Sequence, residues 1–105
     1  MANRRRGEIE AEIGGAKRCL VLTLGALAEL EDAFKADDLV ALTERFAAGR
    51  LKARDLVRII GAGLRGAGEP ISDEQVAAMT AEDGVYGYVR IAADLIAVTF
   101  SEANA

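Results

Sequence analysis

The stretch GEIEAEIGGAKRCLVLTLGALAELEDAF, from Gly7 to Phe34, decides the fold because the spacing of its apolar residues changes halfway along it. Polar and apolar residues first alternate, which is the period of a strand buried on one face. After Thr23 the apolar residues recur every three or four positions, which is the period of an amphipathic helix. The stretch therefore predicts a β-hairpin that leads directly into a helix.

The dipeptide Gly14-Gly15 marks the turn of this hairpin, because type I′ and II′ turns need the positive φ angles that glycine adopts readily. The turn also fixes the register, in which Ile9 is expected opposite Leu20 on the apolar face. An isolated hairpin is only marginally stable in water. We therefore expect helices to cover this face, beginning with the helix that follows the hairpin.

The rest of the chain predicts four more helices. The second is expected from Asp37 or Asp38 to Gly49, the third from about Ala53 to Leu64, the fourth from a capping box at Ser72 and Gln75, and the last from about Gly84 to Phe100. The predicted fold class is α+β, a mostly helical single domain with an N-terminal β-hairpin and about five helices. Residues 7–100 are expected to form it, between a basic flexible tail at residues 1–6 and a flexible C-terminus at residues 101–105.

Length and composition exclude several classes of protein. The 105 residues suffice for one small core, and no apolar run reaches the roughly 18 residues that span a bilayer. No secretion signal is visible, and the lone Cys19 cannot form an internal disulfide, which favours a cytoplasmic location. The chain also lacks histidine, the commonest general base and metal ligand. We therefore predict a non-enzymatic protein without a catalytic, cofactor or metal site.

The third predicted helix has a candidate basic face formed by Arg54, Arg58 and Arg65. The surrounding sequence LKARDLVRIIGAGLRG loosely suggests a helix-turn-helix unit, so a small DNA-binding regulator is one hypothesis. Residues 69–105, however, contain one basic and seven acidic residues, and these would repel phosphate groups. The charge distribution thus argues against nucleic acid as the partner.

The last predicted helix is apolar nearly all round. Such a helix is either central in its domain or covered by a partner, and the sequence leaves both readings open. The candidate partner-binding residues are Tyr86, Tyr88, Ile91, Leu95 and Val98. A second copy of the chain is one candidate partner, and an amphipathic client helix is another.

Three blocks of the sequence together resemble the small tail-cluster proteins of gene transfer agents and phages. The blocks are LTLGALAELE at residues 22–31, ARDLVRIIGAGLRGAG at residues 53–68 and ISDEQVAAM at residues 71–79. Proteins of this group often have Ser or Thr at the position of Lys52, where it would cap the third helix. Lys52 cannot act in this way, so the start of that helix stays open.

The resemblance implies a role in virion morphogenesis and not in catalysis. Such proteins are grouped with the phage tail assembly chaperones, which bind apolar helical segments of a tape-measure-type client until tube subunits replace them. The implied partners are a tape-measure-type protein or other tail proteins, and no cofactor is implied. A structural component of the tail is the alternative, ranked lower because a tube subunit needs a larger sheet than one hairpin.

Overall fold

The computed structural model of the protein describes residues 2–35, 44, 52–81 and 83–100. The elements in these ranges are a 3₁₀ turn (Arg4–Arg6), strands β1 (Glu8–Ile13) and β2 (Ala16–Val21), and helices α1 (Leu24–Phe34), α2 (Ala53–Gly66), α3 (Asp73–Ala77) and α4 (Gly84–Phe100). The α+β class with an N-terminal hairpin is confirmed. Four helices are described against about five predicted. The predicted second helix, at residues 37–49, lies outside the described residues apart from Glu44, which is helical.

The hairpin has the predicted turn and register. β1 and β2 pair antiparallel, and Ile9 lies opposite Leu20. Gly14 and Gly15 have φ angles of 64° and 80°, as a type I′ turn requires. Ile9 and Leu20 are both buried, so the alternating pattern directs one face of the sheet into the core.

The tip of the hairpin is joined to the segment that follows α3. The backbone N–H of Gly14 donates to the carbonyl of Thr80 at 2.7 Å, and Ile13 forms an isolated antiparallel bridge with Ala81. This segment covers the end of the exposed edge of β1. The helix before it ends at Ala77, slightly earlier than the predicted end near residues 80–83.

The hairpin is covered by α2 and α4, whereas α1 packs mainly against α2. The expectation that the helix following the hairpin would cover it first is therefore wrong. The reason lies in the glycines of α2, because a Cβ atom at Gly63 would come within 3.2 Å of the Leu20 side chain, and one at Gly66 within 2.1 Å of the Val21 carbonyl oxygen. Because glycine has no Cβ atom, the α2 backbone can approach β2 closely. Helix α2 therefore occupies the position predicted for α1.

Short-range hydrogen bonds define where three of the helices begin. The Thr23 hydroxyl accepts from the N–H of Ala26 at 3.1 Å and caps α1, as predicted. At α2 the carboxylate of Asp55 accepts from the backbone N–H of Lys52 at 2.9 Å. Helix α2 therefore begins at Ala53, where the periodicity expected it, although the lysine offers no side-chain acceptor of its own.

The predicted capping box at the start of α3 is present. The Ser72 hydroxyl accepts from the N–H of Gln75 at 3.1 Å, and the Gln75 side chain accepts from the N–H of Ser72 at 2.9 Å. Ile71 and Val76, which flank the box, are both buried. This arrangement satisfies two backbone donors that a helix start otherwise leaves unpaired.

Loss of this cap is expected to weaken the fold measurably. Ser72→Ala removes the acceptor for the N–H of Gln75 and should lower the free energy of unfolding by about 1 kcal/mol in urea denaturation. Ser72→Asn, which keeps a side-chain acceptor at the same position, is the matched control and should change it by only a few tenths of that amount. Equal losses in the two variants would show that the cap has no role in stability.

Within residues 1–6, for which the sequence predicted a flexible tail, residues 4–6 form the 3₁₀ turn and Arg4 contacts the domain. The guanidinium of Arg4 donates two hydrogen bonds to the carboxylate of Asp94, at 3.0 and 2.7 Å. These hydrogen bonds from Arg4 lower the pKa of Asp94, and partial burial opposes them. The contact joins the 3₁₀ turn to the middle of α4. Residues 101–105, for which the sequence predicted a flexible C-terminus, lie outside the described residues.

Candidate functional site

Helix α4 turns one face into the core. Leu95 is fully buried, Val98 is 5% exposed, and Ile91 is half-buried against the same core. The sequence expected all three on a surface available to a partner, and for Leu95 and Val98 the structure differs. The physical reason is again the close approach of α2, because a Cβ at Gly63 would lie 2.7 Å from the Leu95 Cδ2.

The exposed apolar surface of α4 lies instead in its first two turns. Tyr86 is 79% exposed, Val85 is 70% exposed and Val89 is 39% exposed. We call these three residues the exposed patch. Tyr86 is thus the candidate residue that lies most openly on the surface. None of the described helices combines the length and apolar character needed to cross a membrane.

An apolar groove of about 240 Å³ opens beside the exposed patch, between α2, α3 and α4. Its described lining residues are Ala53, Leu56, Val57 and Ile60 from α2, Val76, Ala77 and Met79 from α3 and the residues after it, and Val85 and Tyr88 from α4. Val85 belongs both to the groove and to the exposed patch. The two features therefore form one continuous apolar surface.

Tyr88 combines a half-buried ring with a buried hydroxyl. The ring lines the groove, and the hydroxyl has no hydrogen-bond partner among the described residues. Burial raises the pKa of the Tyr88 phenol. A buried hydroxyl without a partner opposes folding, because it loses its hydrogen bonds to water without replacing them.

Removing this hydroxyl is expected not to destabilise the protein. Tyr88→Phe keeps the ring in the groove and should raise the free energy of unfolding by up to about 1 kcal/mol at neutral pH. Tyr86→Phe, at the exposed tyrosine two residues earlier, is the control and should have no measurable effect. A loss of stability in Tyr88→Phe would show that the hydroxyl donates to a group that the fold requires.

The same Tyr88→Phe variant predicts a difference at alkaline pH. The pKa of Tyr88 is raised above its ordinary value of 10.0, so the unfolded chain loses the phenol proton first. Below that value the phenol is neutral in both states, and its ionisation costs no stability. As the pH rises from that value toward the folded pKa, the unfolded state gains the charged form first and the protein loses stability. Tyr88→Phe should therefore reduce the alkaline loss of stability, which urea denaturation at increasing pH measures.

The three arginines of the candidate basic face differ in their ion pairs. The guanidinium of Arg65 donates to Glu29, to Asp73 at 2.9 Å and to the carbonyl of Ile71 at 3.0 Å. Its charge is thus used to join α1, α2 and the start of α3. Arg54 and Arg58 have no ion pair among the described residues. Two free arginines form a small basic surface, and this weakens the hypothesis of a DNA-binding regulator.

Arg54 and Arg58 lie along a second, more open depression between α2 and α3, with a volume of about 490 Å³. Besides the two arginines, its described lining residues are Ala53, Val57, Asp73, Glu74 and Ala77. Three of these, Ala53, Val57 and Ala77, also line the apolar groove. The depression therefore continues the groove toward the charged side of α2.

Cys19 lacks the surroundings of a reactive thiol. It is half-buried on the hairpin, and burial, followed by the charge of Glu8, raises the pKa of its thiol. A raised pKa lowers the thiolate fraction, which is the nucleophilic form. In the parts of the chain that the structure describes, no group of three or more Cys, Asp and Glu side chains is arranged to hold a metal ion.

Sequence reasoning missed part of this surface. It did not assign Val85 or Val89 of the last helix to the site, and it did not connect Val57 or Met79 with the tyrosines. Spacing along one helix cannot reveal a groove shared by three helices. The surplus of apolar residues in α4 was the signal that a surface of this kind exists.

Comparison with known protein families gives a match over most of the chain. Residues 6–102 match a family described as phage tail tube protein, GTA-gp10. The match covers the hairpin and all four described helices. A search of curated proteins and a search of solved structures each gave no match.

Proposed function

This chain belongs to the phage tail tube protein, GTA-gp10, family, and we propose that within it the chain acts as a non-enzymatic tail assembly chaperone. The family relates the protein to the tails of phage-like particles. The proposal adds that it binds apolar helical segments of a tape-measure-type protein in the cytoplasm and leaves when tube subunits replace it. The proposal is supported by the sequence resemblance to this group of proteins in residues 22–31, 53–68 and 71–79.

The observation that carries the proposal is the continuous apolar surface formed by the exposed patch and the groove. Val85 and Tyr86 are 70% and 79% exposed, although large apolar side chains usually contact other apolar groups. An amphipathic helix laid into such a groove buries its own apolar side as well as that surface. A chaperone needs apolar surface that stays available in the free protein, and this surface has that property.

The small sheet also supports a chaperone over a tube subunit. In residues 2–35, 52–81 and 83–100 the structure has one two-stranded sheet. A tube wall built from strands needs a larger sheet in each subunit to pair with its neighbours. Helices α2 and α4, which flank the groove, are instead suited to contacts between helices.

Co-expression with a tape-measure-type protein tests the proposal. The full chain should co-purify with fragments that contain amphipathic helices, and Val85→Ser should weaken this association at least about tenfold because it removes an apolar contact at the centre of the surface. Leu24→Ser is the matched control, since Leu24 is 81% exposed but lies on α1 and is not among the described groove-lining residues. It should leave the association unchanged.

Two results would contradict the proposal. One is a folded protein that co-purifies with none of the tape-measure fragments under conditions in which those fragments are soluble. The other is an equal loss of association in Val85→Ser and Leu24→Ser, because general stickiness and not the groove would then explain the binding.

A structural subunit of the tail is the second candidate, and the family description itself favours it because it names the tail tube. Mass spectrometry of purified particles separates the two roles. A tube subunit should be present in finished particles in many copies, whereas a chaperone should be found with tail proteins in assembling cells and be absent from finished particles.

A further inference from the structure

We propose that the partner of this surface is an amphipathic helix with acidic residues along one flank, and that Arg54 and Arg58 select it. This inference rests on the proposed function and deepens it by stating the chemistry of the client. It concerns the trough, which we define as the apolar groove together with the depression that continues it between α2 and α3.

The floor of the trough fits the apolar side of a helix. Leu56, Ile60 and Val76 are buried beneath it, and Val57 is half-buried where the groove meets the depression. A helix bound in a groove presents apolar residues every three or four positions, so it needs a continuous apolar floor several residues long. The residues shared by the groove and the depression provide that continuity.

The two arginines on the α2 side of the trough determine which flank of the client helix lies against α2. Arg54 and Arg58 are four residues apart on one helix, and both line the depression without an ion pair among the described residues. Arg65 cannot assist them because Glu29 and Asp73 already bind it. A client with acidic residues on the flank that faces α2 would pair with both free arginines.

The opposite side of the trough orients the client. Glu74 lines the depression from α3 and is exposed, so it repels an acidic flank and attracts a basic one. A client helix with acidic residues on one flank and a basic residue on the other therefore fits in one orientation about its axis. Electrostatic complementarity of this kind contributes more to specificity than to total affinity.

A second copy of this chain fits the trough less well. Its described helix with an exposed apolar patch is α4, and the charged residues beside that patch are Asp83 and Arg90, which already pair with each other. The carboxylate next to this patch is therefore already paired within its own chain, so α4 offers the two arginines less acidic charge than an external acidic helix does. A helix from another protein, apolar on one side and acidic on one flank, would match both the apolar floor of the trough and the two arginines.

Two synthetic peptides test the inference against the full chain. Both have the same apolar side and the same helical length, and one carries Glu along one flank where the other carries Lys. By fluorescence anisotropy at low salt, the Glu peptide should bind about tenfold more tightly, and added salt should reduce the difference. The double variant Arg54→Glu with Arg58→Glu should reverse the preference.

A matched double variant controls for net charge. Arg5→Glu with Lys17→Glu makes the same charge change at two exposed positions outside the trough, and it should keep the preference for the Glu peptide. Circular dichroism verifies that each variant is folded. Equal binding of the two peptides, or the same reversal in both double variants, would overturn the inference.

Two further outcomes separate this inference from the proposed function. If neither peptide binds and sedimentation shows a dimer, a second copy fills the trough and the inference is wrong, even if tail proteins still co-purify. If the Glu peptide binds with the expected preference but no tape-measure fragment co-purifies, the inference stands and the proposed client is wrong.

Discussion

Leu95→Ala is expected to lower the free energy of unfolding by about 2–5 kcal/mol, the range observed when a buried leucine is truncated. Leu95 is fully buried in the core shared with Leu20 and Ile59, and a smaller side chain would leave a cavity beside the rigid backbone of α2. Urea denaturation followed by circular dichroism measures this change.

Leu24→Ala is the matched control, because the same side chain is removed from a position that is 81% exposed. It should change the free energy of unfolding by no more than about 0.5 kcal/mol. If Leu95→Ala were as mild as this control, α4 would not be docked in the core as described. Its buried face would then be available to a partner, which is one of the two alternatives that the sequence leaves open.

Gly66→Ala is expected to lower the free energy of unfolding by about 3 kcal/mol, at the upper end of the usual cost of overpacking. The added Cβ would lie 2.1 Å from the carbonyl oxygen of Val21 and 3.6 Å from the backbone nitrogen of Thr23. Both neighbours are backbone atoms, which cannot rotate away as a side chain can. Relief requires α2 to move away from β2, which opens the core.

Gly25→Ala provides the comparison within the same protein. Gly25 also lies in a helix, but the nearest atom to an added Cβ is the Thr23 hydroxyl oxygen at 3.8 Å, an ordinary contact. Alanine has the higher helix propensity, so this variant should raise the free energy of unfolding by up to about 1 kcal/mol. Stabilisation by both alanine substitutions would contradict the close approach of α2 to β2.

Features set by neighbours in the sequence could be predicted. The φ angles of Gly14-Gly15 fix the hairpin register, and the caps at Thr23 and Ser72 depend on hydrogen bonds to residues three positions away. These interactions are encoded within a few residues, so pattern and residue type are sufficient to identify them.

Features set by packing between distant elements could not be predicted. A helix that is apolar nearly all round does not indicate which side enters the core, so Leu95 could not be distinguished from Val85 by spacing alone. Similarly, the sequence around Arg65 indicates only a solvated basic face. In the structure Arg65 donates to Glu29, which is 36 residues away in the sequence. The burial of Leu95 and the pairing of Arg65 both depend on the position of α2 in the fold. The close contacts of its glycines determine that position.

The docking of α4 against β1 has a consequence for the order in which this chain can fold as it is made. The two elements lie near opposite ends of the described chain. Arg4, just before β1, donates a hydrogen bond to Asp94 of α4, which is 90 residues away in the sequence. At the usual translation rate of about 5–20 residues per second, the hairpin leaves the ribosome several seconds before α4 does. During that interval Ile9 and Ile13 lack part of their final cover, and the nascent chain is at its most vulnerable to aggregation.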